Sequence, residues 1–220
     1  RTGDNSKYFE TLTDFDSKYH RTSANLHYLG NNIINKDGSI NVNLDYLNYS
    51  INDHIKLQTT YDESLGYLNR PKTDINVYQG KVDLELPIGN VTLSGGAAYS
   101  QSKTDNRTNY DYITNDYDLN DHFVYREQIF ATYADIRYKL SDKLETKIGL
   151  RGEYGVLDGN SLKLNSHTRN NQFDFFPTVF LNYSWNDNNP LSMSVSSRIN
   201  RPSYVDINPF TTYVDSHTIQ

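Results

Sequence analysis

The chain has 220 residues, 21 Lys+Arg against 27 Asp+Glu, and a formal charge of −6. It has no cysteine, which excludes disulfide scaffolds, thiolate metal sites and cysteine nucleophiles. No basic patch stands out, so nucleic acid is not an expected partner, because phosphate binding needs clustered Lys and Arg. The residue mix is unusual, with 19 Tyr and 9 Phe, one Trp, one Met and only 36% hydrophobic residues, and Asn is the commonest residue. A water-soluble core is richer in aliphatic side chains. Tyr, Thr and Val favour strands, and Asn, Asp and Gly favour turns, so composition points to an all-β chain with large polar loops.

Neither end has the look of a natural terminus: Arg1 is not an initiator, and Arg1–Glu10 lacks a signal-peptide apolar region. No stretch approaches 18 apolar residues, as a membrane-spanning helix requires. A transmembrane strand needs only about 9–11 residues and alternates apolar with polar, so it averages out as hydrophilic.

Alternation with period two marks the elements. Tyr19–Leu29 is the first and least regular. Ser39–Tyr49 sets Ile40, Val42, Leu44 and Tyr46 against Asn41, Asn43 and Asp45. His54–Tyr61 sets Ile55, Leu57, Thr59 and Tyr61 against His54, Lys56, Gln58 and Thr60. Tyr78–Leu86 and Val91–Tyr99 follow, each with one apolar face. Phe130–Leu140 places Phe130, Thr132, Ala134, Ile136, Tyr138 and Leu140 opposite Asp135, Arg137 and Lys139. Leu144–Tyr154 places Leu144, Ile148, Leu150 and Tyr154 opposite Glu145, Lys147, Arg151 and Glu153. Phe173–Trp185 and Leu191–Ile199 complete about nine strands.

Short turns are expected at Ser50–Asp53, Pro87–Asn90, Ser141–Lys143 and Asn186–Pro190. Longer links are expected at Gly30–Gly38, Ser64–Thr73, Lys103–Asp121, Asp158–Gln172 and Asn200–Asn208. Short and long alternate throughout, as in a transmembrane barrel with tight turns on one rim and long loops on the other. Apolar faces end in aromatics: Tyr46 and Tyr49, Tyr61, Tyr78, Tyr99, Tyr138, Tyr154, Tyr183 and Trp185. In a barrel these form interface girdles, and the charged faces line the lumen.

Sites for chemistry are few. The six histidines have no metal-ligand spacing, and there is no phosphate loop and no nucleophile elbow. Gly95-Gly96 inside a strand marks a bend or close packing. Asp116, Asp118, Asn120 and Glu127 share part of a calcium-loop spacing, although Asp121 stands where that loop has its glycine. The plain alternative is a polar loop.

The segment Arg126–Phe210 carries a resemblance. Lys139-Leu140-Ser141-Asp142-Lys143-Leu144, Gly149-Leu150-Arg151-Gly152-Glu153-Tyr154, Phe175-Phe176-Pro177-Thr178 and above all Ser197-Arg198-Ile199-Asn200-Arg201-Pro202-Ser203-Tyr204 with Asp206-Ile207-Asn208-Pro209-Phe210 are its motifs. They resemble the TonB-dependent-receptor-like outer membrane β-barrel family of the Bacteroidetes type. The resemblance implies that residues 1–220 are an antiparallel up-and-down meander, a segment of a large transmembrane β-barrel, without plug, signal peptide or C-terminal strands. It implies outer-membrane location, lipid contact, nutrient uptake with an unidentified ligand, and a plug domain and TonB system in the full-length protein. No enzyme activity and no cofactor are expected. Arg198, Arg201, Pro202, Tyr204, Asn208 and Pro209 make the family motif. Its arginines either meet an anionic substrate or pair with lumenal carboxylates while the prolines shape a strand end. Lys103–Asp121 and Asp158–Gln172 are the expected substrate-facing loops. Open sheet edges imply self-association of the isolated segment. The rival reading is a soluble, secreted β-rich carbohydrate-binding or adhesin module, whose apolar faces would pack against a second sheet.

Overall fold

A computed structural model describes residues 10–59, 66–112, 120–186 and 189–201. The strands are β1 (Thr11–Asn31), β2 (Ser39–Thr59), β3 (Tyr67–Asn69), β4 (Lys72–Ile88), β5 (Val91–Thr108), β6 (Tyr110–Tyr112), β7 (Asp121–Ser141), β8 (Leu144–Ser161), β9 (Ser166–Asn186) and β10 (Asn189–Ser196). They form one antiparallel sheet in the order β10-β9-β8-β7-β5-β4-β2-β3-β6, with β1 also on β2. The eight longer strands follow one another as a meander, so the all-β expectation holds. The sheet is a half-barrel wall.

The strands are longer than their hydrophobic runs. Four of them, β1, β2, β7 and β9, have 21 residues each. The expected turn at Ser50–Asp53 does not exist: β2 runs straight through it, pairing with β4 over Ser39–Asn52 and with β3 over Ile55–Leu57. Its apolar residues change face on the way. Ile40, Val42, Leu44 and Tyr46 point outward, while Ile55, Leu57 and Thr59 occupy inward positions. A phase slip of one residue reads as two strands with a turn between, but here the strand passes from one environment into another. The Gly30–Gly38 link therefore lies on the same rim as the tight turns at Gly89-Asn90 and Asp142-Lys143. Asp158–Gln172 also contracts, to the four residues 162–165 between β8 and β9.

The outward face has a defined height. Tyr46 pairs with Tyr78, Tyr99 with Phe130, Phe130 with Tyr154, and Tyr154 with Phe173. These rings form a lateral row, with centroids 5.1 Å apart in the first pair and 4.7 Å in the second. Tyr138, Tyr183 and Trp185 lie near the tight-turn rim. Tyr49 is on the inward face, with the Arg21 guanidinium 5.6 Å from its ring centre, and so belongs to no girdle. Tyr61 lies outside the described residues. From Leu144 to Tyr154 the strand rises roughly 33 Å, or about 25 Å of height at a barrel tilt of some 40°. Within that band Ile136, Ile148, Leu150, Phe175 and Val179 are left exposed. Above the aromatic row most outward positions turn polar, with Asn48, Ser50 and Asn52 on β2, Lys103 and Asp105 on β5, Arg126 on β7, and Asp158 and Asn160 on β8; Val124 and Val156 are the exceptions.

No helix among the described residues is long and apolar enough to cross a membrane, which says nothing of a β-barrel. Among the described residues the clustered core sits at the long-loop rim, where Ile55 and Leu57 of β2 pack with Tyr67 of β3 and Tyr110 of β6. The rest of the wall has lateral hydrogen bonds but no second layer among the described residues. That is the architecture of a sheet solvated by lipid on one side.

Candidate functional site: the inner face of the wall

The inward residues lie in lateral rows set by strand register. One row runs Asp83 (β4), Gly96 (β5), Tyr133 (β7), Arg151 (β8), Phe176 (β9); the next row toward the long-loop rim contains Lys81, Ala98, Ala131, Glu153 and Asp174. Tyr133 reaches across β5 and donates its hydroxyl hydrogen bond to Asp83. Gly96 makes this reach possible: a Cβ there would stand 2.3 Å from the Val82 carbonyl oxygen and 2.5 Å from Tyr133 Oη. Cations flank the ring, with Lys81 Nζ 5.7 Å and the Arg151 guanidinium 5.3 Å from its centre. Lys81 pairs with Asp83 at 2.9 Å, Arg151 with Glu153 at 2.6 Å, and Lys147 with Asp135 at 3.1 Å. The result is a continuous polar belt over β4 to β9.

Arg201 closes the belt. Glu153 and Asp174 are directly opposite across β8 and β9, where two carboxylates repel. Arg201 Nη2 lies 2.8 Å from Glu153 and 3.4 Å from Asp174, with its side chain 18% exposed. Gly155 leaves room for it, with Nε 3.6 Å from where a Cβ would stand. Arg198 is exposed and borders the same open cavity of about 570 Å³, with Tyr133, Asp135, Lys147, Arg151 and Phe180. Of the expected motif, Arg198 and Arg201 are thus on the lumenal side, while Pro202, Tyr204, Asn208 and Pro209 lie outside the described residues.

At the long-loop rim Asp121 acts as a staple. Its carboxylate accepts from Ser161 Oγ at 2.9 Å, from the backbone N–H of His122 at 2.6 Å and from that of Lys163 at 3.3 Å, tying the β8–β9 turn to β7. Tyr125 on β7 is 4% exposed, and burial, followed by the charge of Glu127, pushes its hydroxyl up to about 12. Burial also raises Tyr67. Asp74 is lowered, first by its hydrogen bond from Ser50 and then by Lys72 and Arg107.

Of the calcium candidates, the two that are described, Asn120 and Glu127, do not converge. Asn120 precedes β7 and its Oδ1 accepts from the Tyr110 N–H at 2.6 Å. Glu127 stands seven residues further on, roughly 20 Å along an extended strand, too far to share one ion. Asp116 and Asp118 lie outside the described residues. No group of three or more metal-ligating side chains occurs among the described residues. Sequence reading named the charged rows but missed Tyr133, Asp174 and Asp121. Strict alternation places Tyr133 and Asp174 on the inner face, whereas the Asp121 staple joins residues 40 apart and leaves no local signal.

A two-faced wall with an apolar band of bilayer height outside and an ionic belt inside is matched by the model of the outer membrane protein beta-barrel family over residues 14–220. The chain belongs to that family. It is an outer-membrane protein, and in such a barrel the rim of tight turns is the periplasmic one; here that rim, with Gly89-Asn90 and Asp142-Lys143, also carries the Gly30–Gly38 link. The structure is also similar to the copper transporter OprC (TM-score 0.66, 13% identity, 86% of this chain and 32% of that one). It is similar to the ferric citrate transporter FecA (0.59, 13%, 83% and 27%). A third likeness is to the ferric-catecholate import receptor Fiu of E. coli K12 (0.59, 11%, 88% and 36%). At these identities the likeness is one of fold, to proteins named as transporters and as an import receptor. The chain spans between about a quarter and just over a third of these proteins' length. No curated protein matches it in sequence. Family membership and the exposed apolar band together displace the soluble sandwich.

Proposed function

We propose that this chain is a wall segment of a TonB-dependent transporter or receptor for nutrient uptake, working in the full-length protein with a plug domain and the TonB system. One observation carries the reading: the polar belt from Lys81 to Arg201 on the face opposite the lipid band. A structural sheet needs no such belt. A wall enclosing a hydrated, plugged lumen does, because the lumen side must be polar and its charges fixed. The wall contributes lumen lining and extracellular rim, with no catalytic step. The similarly folded proteins are named for copper, ferric citrate and ferric catecholate, so scarce nutrients of different chemistry are compatible with such a wall.

The test is nutrient depletion by cells carrying the full-length protein against cells lacking it, read by mass spectrometry of a defined medium with and without a protonophore. At least one component should be depleted only by the carrying cells, and the protonophore should abolish that depletion. Depletion that survives the protonophore would make the protein a passive channel. No protein-dependent depletion would remove the uptake reading.

A further inference from the structure

The outward face just above the aromatic row holds an arrangement that the uptake role does not use. Lys103 on β5 and Arg126 on β7 are directly opposite in register. Cross-strand neighbours have Cβ atoms about 4.5–5.5 Å apart, and like charges there destabilise a sheet. Neighbouring cations are compensated: Lys72 has Asp74 at 3.3 Å, and Arg107 has Asp105 at 3.2 Å. Asp105 also takes His122, at 2.9 Å, and Asp158, directly opposite Arg126 on β8, takes His167, at 3.2 Å. Neither Lys103 nor Arg126 has a carboxylate within ion-pair distance among the described residues, although Asp158 stands opposite Arg126. Arg169, on the far side of Asp158 in the same lateral row, has none either.

Directly beneath this pair the lipid face is hollowed. Gly80, Ala97, Thr132 and Gly152 leave a groove of about 490 Å³ walled by Tyr99, Phe130, Tyr154 and Phe173. Lys103 is four residues above Tyr99, and Arg126 four above Phe130. That is roughly 13 Å along the strand, or about 10 Å of height with the tilt. An apolar groove at acyl-chain depth and two unpaired cations at headgroup height lie on the same strands.

We propose that β4, β5, β7 and β8 form an outer-surface binding site for one phosphorylated lipid of the outer leaflet, with Lys103 and Arg126 holding its headgroup phosphate and the groove holding an acyl chain. A phosphate between the two cations turns their repulsion into two charge-assisted contacts.

The test uses the full-length protein in neutral detergent, with native mass spectrometry counting retained lipid. The probes are a bis-phosphorylated glycolipid and the same glycolipid dephosphorylated. The phosphorylated form should be retained preferentially. Lys103→Gln with Arg126→Gln should weaken it about thirtyfold, from the usual worth of two basic residues at an anionic lipid surface. Lys72→Gln, which removes a compensated cation, should change retention less than threefold, and inorganic phosphate at the lipid's concentration should not compete. Without lipid the double variant should melt no lower than the parent protein. Equal retention of both glycolipids, equal retention by parent and double variant, or loss in Lys72→Gln as large as in the double variant would each overturn the site. Displacement by inorganic phosphate would reassign it to a free anion. The dephosphorylated arm tests the claim on the unaltered protein, independently of any variant's folding.

Discussion

Removing the Arg201 side chain should expose the carboxylate pair it bridges. Glu153 and Asp174 each have an oxygen within 3.4 Å of one Arg201 nitrogen, so these oxygens are at most about 6 Å apart. At an effective dielectric of about 20, two unit charges at that separation repel by roughly 3 kcal/mol. Arg151, 2.6 Å from Glu153, still compensates that partner. The uncompensated charge therefore falls on Asp174, whose other contact is the Gln172 amide at 2.7 Å. All three side chains are less than one-fifth exposed, so solvent relieves only part of the repulsion. Arg201→Ala should cost about 2–3 kcal/mol, toward the lower end for breaking a buried pair. The assay is urea unfolding of the full-length protein in detergent micelles, followed by tryptophan fluorescence. Adding Asp174→Asn to Arg201→Ala should recover most of the loss, because it removes the repulsion rather than restoring a contact. A destabilisation below about 0.5 kcal/mol, or a double variant no better than the single, would show that Arg201 is not an electrostatic clamp.

Three further outcomes are expected. Gly96→Ala should cost about 1–3 kcal/mol and break the Tyr133–Asp83 bond, since its Cβ meets backbone; Gly152→Ala, whose Cβ would find its nearest neighbour at 3.6 Å, should be near neutral in the same unfolding assay. Leu150→Arg in the middle of the lipid band should lower stability by about 2–4 kcal/mol, whereas Asn160→Arg above the aromatic row should change it by less than about 1, as read by folding into lipid vesicles. Tyr125 should stay protonated at about pH 11, where exposed tyrosines ionise, by ultraviolet titration. Its folded value lies above its unfolded one, so its contribution is complete below about pH 10 and is lost as pH rises through about 12; Tyr125→Phe should flatten that alkaline loss.

How much of this was legible in the sequence depends on where each residue stands relative to the bilayer. Between the tight turns and the aromatic row one face is solvated by lipid and the other by a polar lumen, so period two is strict, and Phe130–Leu140 and Leu144–Tyr154 were readable residue by residue. Above the row both faces meet water or loop, and the apolar residues no longer mark the outside. On β2 they move to Ile55 and Leu57 beside β3, and on β7 to Phe123 and Tyr125, each 4% exposed. Alternation still exists there, but its phase is inverted. A reader following hydrophobicity alone sees a turn at Ser50–Asp53 and a loop from Lys103, where the backbone simply continues as strand.

The inversion is itself informative. A strand that stays within one environment has no reason to exchange its apolar face, since a one-residue slip in pairing would move every side chain to the wrong side. The register of β2 with β1 is unbroken from Thr11↔Thr59 to Asn31↔Ser39, so the backbone does not slip. Only the side-chain chemistry does, between Tyr46 and Ile55. A phase change without a register change therefore locates the membrane boundary from sequence and pairing alone. It falls just above Tyr46, the level at which Tyr78, Tyr99, Phe130, Tyr154 and Phe173 form the aromatic row. Lateral contacts such as Arg201 to Glu153 and Asp174 join residues 48 and 27 apart, and only strand order and register bring them together. The wall's period was thus local information, whereas the belt and the clamp that make its inner face a lumen were set by topology.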